Sequence, residues 1–127
     1  MNTKQVIVLR KDLNMRKGKM VAQGAHASMK AILDQGAKDD GDNYAIKMTP
    51  AMEDWLCGTF TKVCVSVNSE DELLSIYNKA KEQKVICSLI QDAGFTEFNG
   101  TPTYTAVAVG PGEVETINKI TGDLKLL

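Results

Sequence analysis

The sequence predicts an α/β protein, in which helices cover a mixed sheet of about four strands to form an α/β/α sandwich. Short apolar runs of strand type alternate along the chain with amphipathic helical segments, in the order β-α-(α)-β-α-β-β-α. The last two strands are joined without a helix, which favours an antiparallel pair and therefore a mixed sheet. At 127 residues, with 43% hydrophobic and 24% charged residues, the chain is expected to form one domain over residues 1–127.

The first strand is predicted at Gln5–Arg10, where Val6–Leu9 is the unbroken apolar run of a strand buried on both faces. A basic loop, Lys11–Gly18, leads into a helix that runs to about Gln35 and stops at Gly36. At about 100° per residue, one polar stripe of that helix holds Lys19, Gln23, His26 and Lys30. The remaining positions, which we expect to pack on the sheet, are mostly small or apolar: Met20, Val21, Gly24, Ala25, Ala27, Ser28, Ala31 and Ile32.

The middle of the chain predicts one connection, one short helix and one strand. Residues 36–43 are rich in Asp, Gly and Lys, and they are expected to form a mobile connection without chemistry. Thr49 caps a short helix that has Pro50 at its first position and continues through Trp55. Residues 60–67 alternate, with Val63, Val65 and Val67 on one face, which predicts a strand covered on that face only.

The second half of the chain is predicted to form two further helices and two strands, and the first of these helices is assigned a structural role only. Ser69 and Glu72 form a capping box ahead of a helical stripe that contains Leu73, Ile76, Tyr77 and Ala80. Strands are predicted at Val85–Ile90 and Thr105–Val109. A last helix is predicted at Gly112–Ile120, ending at Gly122.

Composition excludes several classes of protein. No apolar run approaches the ~20 residues of a membrane span and the first residues lack a signal-peptide pattern, so a cytoplasmic protein with no membrane partner is expected. Three cysteines and one histidine show no metal-ligand spacing, so no metal or other cofactor is expected. Cys57, Cys64 and Cys87 are expected to be reduced and non-catalytic, the last two as small buried hydrophobic residues. No G-x-S-x-G elbow or P-loop is present.

Charge is divided unevenly along the chain. Residues 1–38 carry eight Lys or Arg and two acidic residues, a net charge of +6, whereas residues 39–127 carry a net charge of −7. Arg16, Lys17 and Lys19 cluster at the amino end of the first helix, where the helix dipole disfavours cations by a few tenths of a kcal/mol each unless an anion is near. The pattern is typical of a surface that attracts a polyanion, although a solvated basic turn would have the same composition.

Asp92 lies at the carboxyl end of the predicted strand Val85–Ile90. The basic loop Lys11–Gly18 likewise follows the carboxyl end of the first strand. Sites of open α/β sheets form outside the carboxyl ends of the strands, so if the two strands are parallel Asp92 and Lys19 face one crevice. By itself the sequence Asp92-Ala93-Gly94 is also what a simple turn would have, with Gly94 adopting a positive φ.

Three blocks resemble one family, the archaeal and eukaryotic type of peptidyl-tRNA hydrolase, which also occurs in some bacteria and phages. The first block is V-I-V-L-R-K-D-L-N-M-R-K-G-K-M-V-A-Q-G-A-H-A-S, residues 6–28. The second is D-A-G-F-T, residues 92–96, and the third combines T-A-V-A-V-G-P with the closing I-T-G-D-L-K-L-L. The three blocks follow the family order, so chance is a poor explanation.

The resemblance implies hydrolysis of the ester between a peptide and the terminal ribose of tRNA, by a homodimer. It implies catalytic roles for Lys19, His26, Asp92 and Thr96. Asp92 would orient or deprotonate water, Lys19 would counter the developing negative charge, and His26 and Thr96 would hold or polarise these groups. Substrate binding is assigned to Gln23, to the cations Arg10, Lys11, Arg16 and Lys17, and to Thr103 or Thr105.

The chain departs from the family pattern at three places. Many members have D-A-G-R-T where this chain has Phe95, which removes a cation that could contact phosphate. The segment reads G-T-P-T-Y-T rather than the family's shorter G-T-x-T. This shifts by one residue the threonine that corresponds to the family's, so Thr103 and Thr105 both stay candidates. Residues 36–58 are also longer than in compact members.

Two alternatives to the peptidyl-tRNA hydrolase stay open. A catalytically silent tRNA- or RNA-binding regulatory module could keep this fold and its basic surface, although Lys19, His26, Asp92 and Thr96 are all present. An esterase acting on another adduct, such as a short aminoacyl ester of tRNA, is the second.

Overall fold

The protein is described from a computed structural model that covers residues 1–95 and 97–127. Within these residues the chain forms eleven elements in the following order. They are β1 (Thr3–Arg10), α1 (Lys17–Leu33), β2 (Gly36–Lys38), β3 (Tyr44–Ile46), α2 (Pro50–Cys57), β4 (Lys62–Val67), α3 (Glu70–Glu82), β5 (Cys87–Asp92), β6 (Thr103–Glu113), α4 (Val114–Thr121) and β7 (Lys125–Leu126). The predicted α/β class is confirmed.

The main sheet is mixed, as predicted, and has the strand order β5-β6-β1-β4-β7. It has five strands where four were expected, because the chain end adds β7 to the edge of β4 through pairs such as Val65 with Leu126. β1 runs parallel to β4 and antiparallel to β6, and β6 is also antiparallel to β5. β1 and β5 are therefore parallel to each other, and their carboxyl ends lie at the same edge of the sheet.

Helices cover both faces of the sheet. On one face α3 and α4 pack against a core that includes Val6, Val8, Val65 and Val107. On the other face α1 packs against a second core of Ile7, Leu9, Ala27, Ala31, Ile90, Ala106 and Ala108. β1 contributes to both cores, so its predicted burial on two faces is confirmed.

α1 packs through a narrower stripe than the sequence predicts. Its buried residues are Gln23, Gly24, Ala27 and Ala31, all close to the sheet. Val21, by contrast, is 72% exposed, and Ala25 is exposed as well. Gln23 belongs to the predicted polar stripe yet is buried, because that stripe borders the packed one and turns toward β5 and β6.

Residues 36–46 correct a prediction, since they are not a structureless connection. β2 and β3 pair as an antiparallel hairpin, and Asp39 closes its turn by accepting hydrogen bonds from the backbone N–H groups of Gly41 and Asn43 at 2.8 and 3.2 Å. Gly36 faces the opposite strand so closely that a Cβ there would lie 2.1 Å from the Ala45 carbonyl oxygen. The turn residues that suggested mobility form the hairpin instead.

Several predicted boundaries shift. β5 begins at Cys87 rather than Val85, and β6 extends from Thr103 to Glu113 rather than over 105–109. The extension arises because Thr3 and Lys4 of β1 pair with Glu113 and Gly112, which moves the start of α4 to Val114.

The three cysteines are free, as predicted, but the predicted burial of Cys64 is wrong. Cys64 is exposed on β4, and Cys57 is exposed as well, while Cys87 is partly buried. The predicted one-sided cover of this strand holds at Val65 and Val67, which are buried, and at Lys62 and Cys64, which are exposed. It fails at Ser66, which lies on the same face as Cys64 but is buried. Cys64 is exposed because it points to the face that α1 leaves open. Burial raises the pKa of the Cys87 thiol.

Among the described residues, none of the helices combines the length and apolar character that crossing a bilayer requires.

Candidate active site

The amino end of α1 is basic and has no acidic residue in its first turn. Arg16 is the N-cap residue in extended conformation, and its side chain makes no capping hydrogen bond. Its guanidinium is 89% exposed and lies 3.6 Å from a carboxylate oxygen of Glu97. Free N–H groups and added cations give this helix end a positive potential that suits an anion.

Lys19 and Asp92 form an ion pair across the predicted crevice. The Lys19 Nζ lies 2.8 Å from Asp92 Oδ2, and the two side chains are 14% and 15% exposed. The pair forms because α1 follows β1 and Asp92 ends β5, and these two strands are parallel. The expected proximity of Lys19 and Asp92 at one edge of the sheet is therefore confirmed.

Asp92 accepts three hydrogen bonds from described residues. Its Oδ2 accepts from Lys19 at 2.8 Å and from the Gln23 amide at 3.1 Å, and its Oδ1 accepts from the Gly94 backbone N–H at 2.8 Å. The Lys19 hydrogen bond lowers the pKa of Asp92, and Gly94 and Gln23 lower it further, against the opposing effect of burial. Asp92 is thus an ionised carboxylate at neutral pH.

Gln23 links Asp92 to β6. Its side chain is 2% exposed, and its Oε1 accepts a 2.5 Å hydrogen bond from the Thr105 hydroxyl. This leaves the amide nitrogen facing Asp92. Of the two candidate threonines, only Thr105 joins the cluster directly. Thr103 pairs with Asp92 across the β5–β6 ladder, and its hydroxyl donates to the Thr101 carbonyl at 2.8 Å.

Described residues that follow β5 lie beside Lys19 and Asp92. The Phe98 ring centroid lies 5.6 Å from Lys19 Nζ, a cation–π distance. Gly94 has φ +88°, the positive value that the sequence suggested, and a Cβ there would lie 2.2 Å from the Thr101 carbonyl oxygen. Only glycine fits at this point. Thr96, predicted to be catalytic, lies outside the described residues.

His26 is not brought into the cluster. It is exposed on α1, about two turns after Lys19, and within residues 1–95 and 97–127 no hydrogen bond or ion pair joins it to another side chain. Its catalytic role stays a prediction.

The predicted phosphate ligands divide into two kinds. Arg10 is only 11% exposed, and it is engaged by Asp12 at 2.7 Å and by the Tyr104 carbonyl at 3.1 Å. Lys11, Arg16 and Lys17 are exposed around the start of α1. Of the predicted phosphate ligands, Lys11, Arg16 and Lys17 are therefore the ones exposed to solvent.

Three contacts of the site were not predicted. The Gly94 N–H, Glu97 and Phe98 all follow β5, and the contacts of Glu97 and Phe98 are with α1, far away in the sequence. The spacing of D-A-G was the one available signal, because an Asp two residues before a glycine often bonds that glycine's N–H. In the described part of the chain, no three His, Cys, Asp or Glu side chains lie close enough to hold a metal ion.

The fold and site define a class of protein. An ionised carboxylate beside an ammonium group, at the carboxyl ends of strands in an α/β sheet, can orient water and counter an oxyanion, which is the arrangement of a hydrolase. Residues 3–127 match the family described as Peptidyl-tRNA hydrolase PTH2. The chain belongs to that family.

Archaeal peptidyl-tRNA hydrolases are similar to this chain over nearly their whole length. A peptidyl-tRNA hydrolase of Methanocaldococcus jannaschii is 50% identical over 124 residues, which are 98% of this chain and 99% of the relative. The peptidyl-tRNA hydrolase of Methanothermobacter thermautotrophicus is 43% identical over 98% of this chain and 99% of its own length. That of Sulfurisphaera tokodaii is also 43% identical, over 100% of both chains. A solved structure of an Agrobacterium protein of unknown function shares the fold, with a TM-score of 0.58 at 16% identity, covering 100% of this chain and 98% of that one.

Proposed function

We propose that this chain, as one domain over residues 1–127, hydrolyses the ester bond of peptidyl-tRNA or N-blocked aminoacyl-tRNA and releases free tRNA and peptide. The observation that carries the proposal is the Lys19–Asp92 ion pair, held next to the exposed cations at the start of α1. The family assignment supports the same reaction. A silent RNA-binding module would not need the Asp92 carboxylate to be oriented by three hydrogen-bond donors.

Asp92 accepts a hydrogen bond from the attacking water and draws off its proton as the oxygen adds to the ester carbonyl. The lowered pKa makes Asp92 a weak base, so its main contribution is orientation of the water rather than lasting proton storage. The Lys19 ammonium counters the charge on the tetrahedral oxyanion. When the carbonyl re-forms, the C–O bond to the ribose breaks and the ribose oxygen takes up the proton that Asp92 received from the water, which returns Asp92 to its ionised form. Thr96 and His26 are proposed to polarise these groups.

The tRNA backbone is proposed to contact Arg16, Lys17 and Lys11. These side chains are exposed next to the reacting groups, whereas Arg10 is engaged internally and helps to hold the loop. Binding then depends on salt, because each contacted phosphate releases counterions. We assign the reaction to the cytoplasm, where it would recycle tRNA for translation.

We also propose that the enzyme is a homodimer, with a second copy covering the open part of the α1 face. An apolar groove of about 420 Å³ lies there between α1 and β4, and its lining includes Ile7, Met20, Val21 and Cys64 together with the chain end at Leu127. Val21 is 72% and Leu127 46% exposed, which is unusual for neighbouring apolar side chains. Sedimentation should show twice the 13.8 kDa chain mass, reduced to a monomer by Val21→Asp. A monomeric wild type at high micromolar concentration would remove this assignment.

The deciding assay is hydrolysis of N-acetyl-aminoacyl-tRNA by the purified protein, followed as free tRNA. We expect wild-type turnover and a loss of about 100-fold or more in Asp92→Ala, the usual scale for a removed acid, base or polarising group. Circular dichroism should be unchanged, since Asp92 ends a strand outside both hydrophobic cores. Equal rates in the wild type and Asp92→Ala would refute the site, and an inactive wild type would refute the function.

A further inference from the structure

Phe95 is the large hydrophobic side chain most open to solvent in the described part of the chain, at 88% exposure. An apolar side chain stabilises the fold by being removed from water, so folding gains little from Phe95. Its neighbour in the same loop, Phe98, is half-buried and lies against Lys19. One aromatic ring of the loop therefore contacts the catalytic lysine while the other points outward.

Phe95 lies close to the site. The Gly100 N–H donates to the carbonyl of Gly94, the residue before Phe95, at 2.8 Å. The Gly94 N–H donates to Asp92, and Glu97 pairs with Arg16 at the start of α1. Three residues of chain reach at most about 11 Å, so the Phe95 backbone lies within that distance of Asp92.

We propose that Phe95 is a stacking platform for the terminal base of the tRNA, an inference that rests on the proposed function. The base of the last nucleotide is attached to the same ribose that carries the ester. When the ester lies at Asp92, that base must lie one sugar ring away, within the reach of Phe95. An exposed aromatic ring next to a basic surface is the combination with which proteins bind unpaired nucleotides.

The phenyl ring of Phe95 presents a flat face on which a base can stack, and it does so without adding a charge.

The test is binding of two fluorescein-labelled RNA minihelices, one ending in CCA and one with an abasic terminal nucleotide, to the full-length chain. Phe95→Leu removes the flat ring and keeps an apolar side chain, and Phe95→Tyr keeps the ring. We expect Phe95→Leu to weaken binding of the CCA minihelix about 10-fold, within the range for loss of one base–aromatic stack. Phe95→Tyr should bind like the wild type, and all three proteins should bind the abasic minihelix equally.

Met48→Ala is the matched control, since Met48 is 43% exposed and precedes α2 at the far end of α1. Equal binding of the CCA minihelix by the wild type and Phe95→Leu would overturn the stacking role. A loss in Phe95→Leu of the same size for both minihelices would overturn it as well, since the base would then not be the contact. Hydrolysis by the wild type is measured separately, so failure of the stacking contact is distinguishable from failure of the proposed function.

Discussion

Thr105 donates a 2.5 Å hydrogen bond to the side-chain oxygen of Gln23, and this contact decides which end of the amide faces Asp92. With its oxygen engaged, Gln23 presents an N–H to the carboxylate at 3.1 Å. Thr105 and Gln23 are 0% and 2% exposed, so water does not compete for either group. A buried threonine on β6 thereby orients the carboxylate at the end of β5.

Thr105→Val is therefore expected to slow the chemical step although Thr105 itself lies behind Gln23. Without the hydroxyl, the amide oxygen of Gln23 has no donor and the amide can turn that oxygen toward Asp92, where two acceptors repel. Loss of one hydrogen bond to a charged group corresponds to roughly 10- to 100-fold in rate. Single-turnover hydrolysis should fall by this amount with KM nearly unchanged.

Thr105→Ser is the control, because it keeps the hydroxyl and should keep most of the activity. A Thr105→Val enzyme whose KM rises while its single-turnover rate holds would mean that Gln23 binds substrate, as the sequence suggested, rather than orienting Asp92.

The ionisation of Asp92 predicts the pH dependence of activity and stability. Its pKa is lower in the folded protein than the ordinary value of 3.8, chiefly because of the Lys19 hydrogen bond. The folded state therefore binds fewer protons than the unfolded state as pH falls. The stability that Asp92 contributes is complete above 3.8 and is lost as pH falls through the folded value.

Two measurements check this. The single-turnover rate should show no acid limb from Asp92 between about pH 5 and pH 8. The thermal midpoint of the wild type should exceed that of Asp92→Asn at neutral pH, and the gap should close in strong acid. The ionised state assigned to Asp92 would be contradicted if the single-turnover rate fell with decreasing pH near neutrality in the wild type and in His26→Asn, but not in Asp92→Asn.

The exposed cations at the start of α1 predict a different kinetic signature. Replacing Arg16 and Lys17 by glutamine should raise KM and leave the single-turnover rate at saturating tRNA nearly intact. The slope of log K against log salt should become shallower by about 0.7 to 0.9 for each phosphate that the variant no longer neutralises.

Lys79→Gln with Lys81→Gln removes the same charge from the end of α3, on the opposite face of the sheet, and should leave both quantities unchanged. If the saturating rate collapses in the Arg16 and Lys17 variant while affinity holds, these residues belong to the chemistry.

The sequence predicted the parts of the site that depend on strand and helix ends. Asp92 after an apolar strand and Lys19 at the start of a helix predicted a shared edge only if their two strands are parallel. The structure meets that condition, because β1 and β5 are both antiparallel to β6. The Thr105–Gln23 hydrogen bond was not predictable, since it spans 82 residues and depends on how closely α1 approaches β6. The exposure of Cys64 was missed for a similar reason, because periodicity shows which face of a strand is apolar but not which helix covers it.

The last prediction concerns the charge of Lys19. Its ammonium group donates to Asp92 at 2.8 Å and lies under the Phe98 ring, so the position requires a cation of suitable reach. Lys19→Met removes the charge, leaves Asp92 without its strongest donor, and should cost about 100-fold or more in single-turnover rate, as much as Asp92→Ala. Lys19→Arg keeps the charge but changes its reach and donor geometry, so partial activity is expected. Lys30→Met, on the same side of α1 but paired with Asp34 at its far end, should be unaffected. If Lys19 acted as a neutral base, arginine could not replace it at any accessible pH, and a Lys19→Arg enzyme as inactive as Lys19→Met across the pH profile would reassign the role.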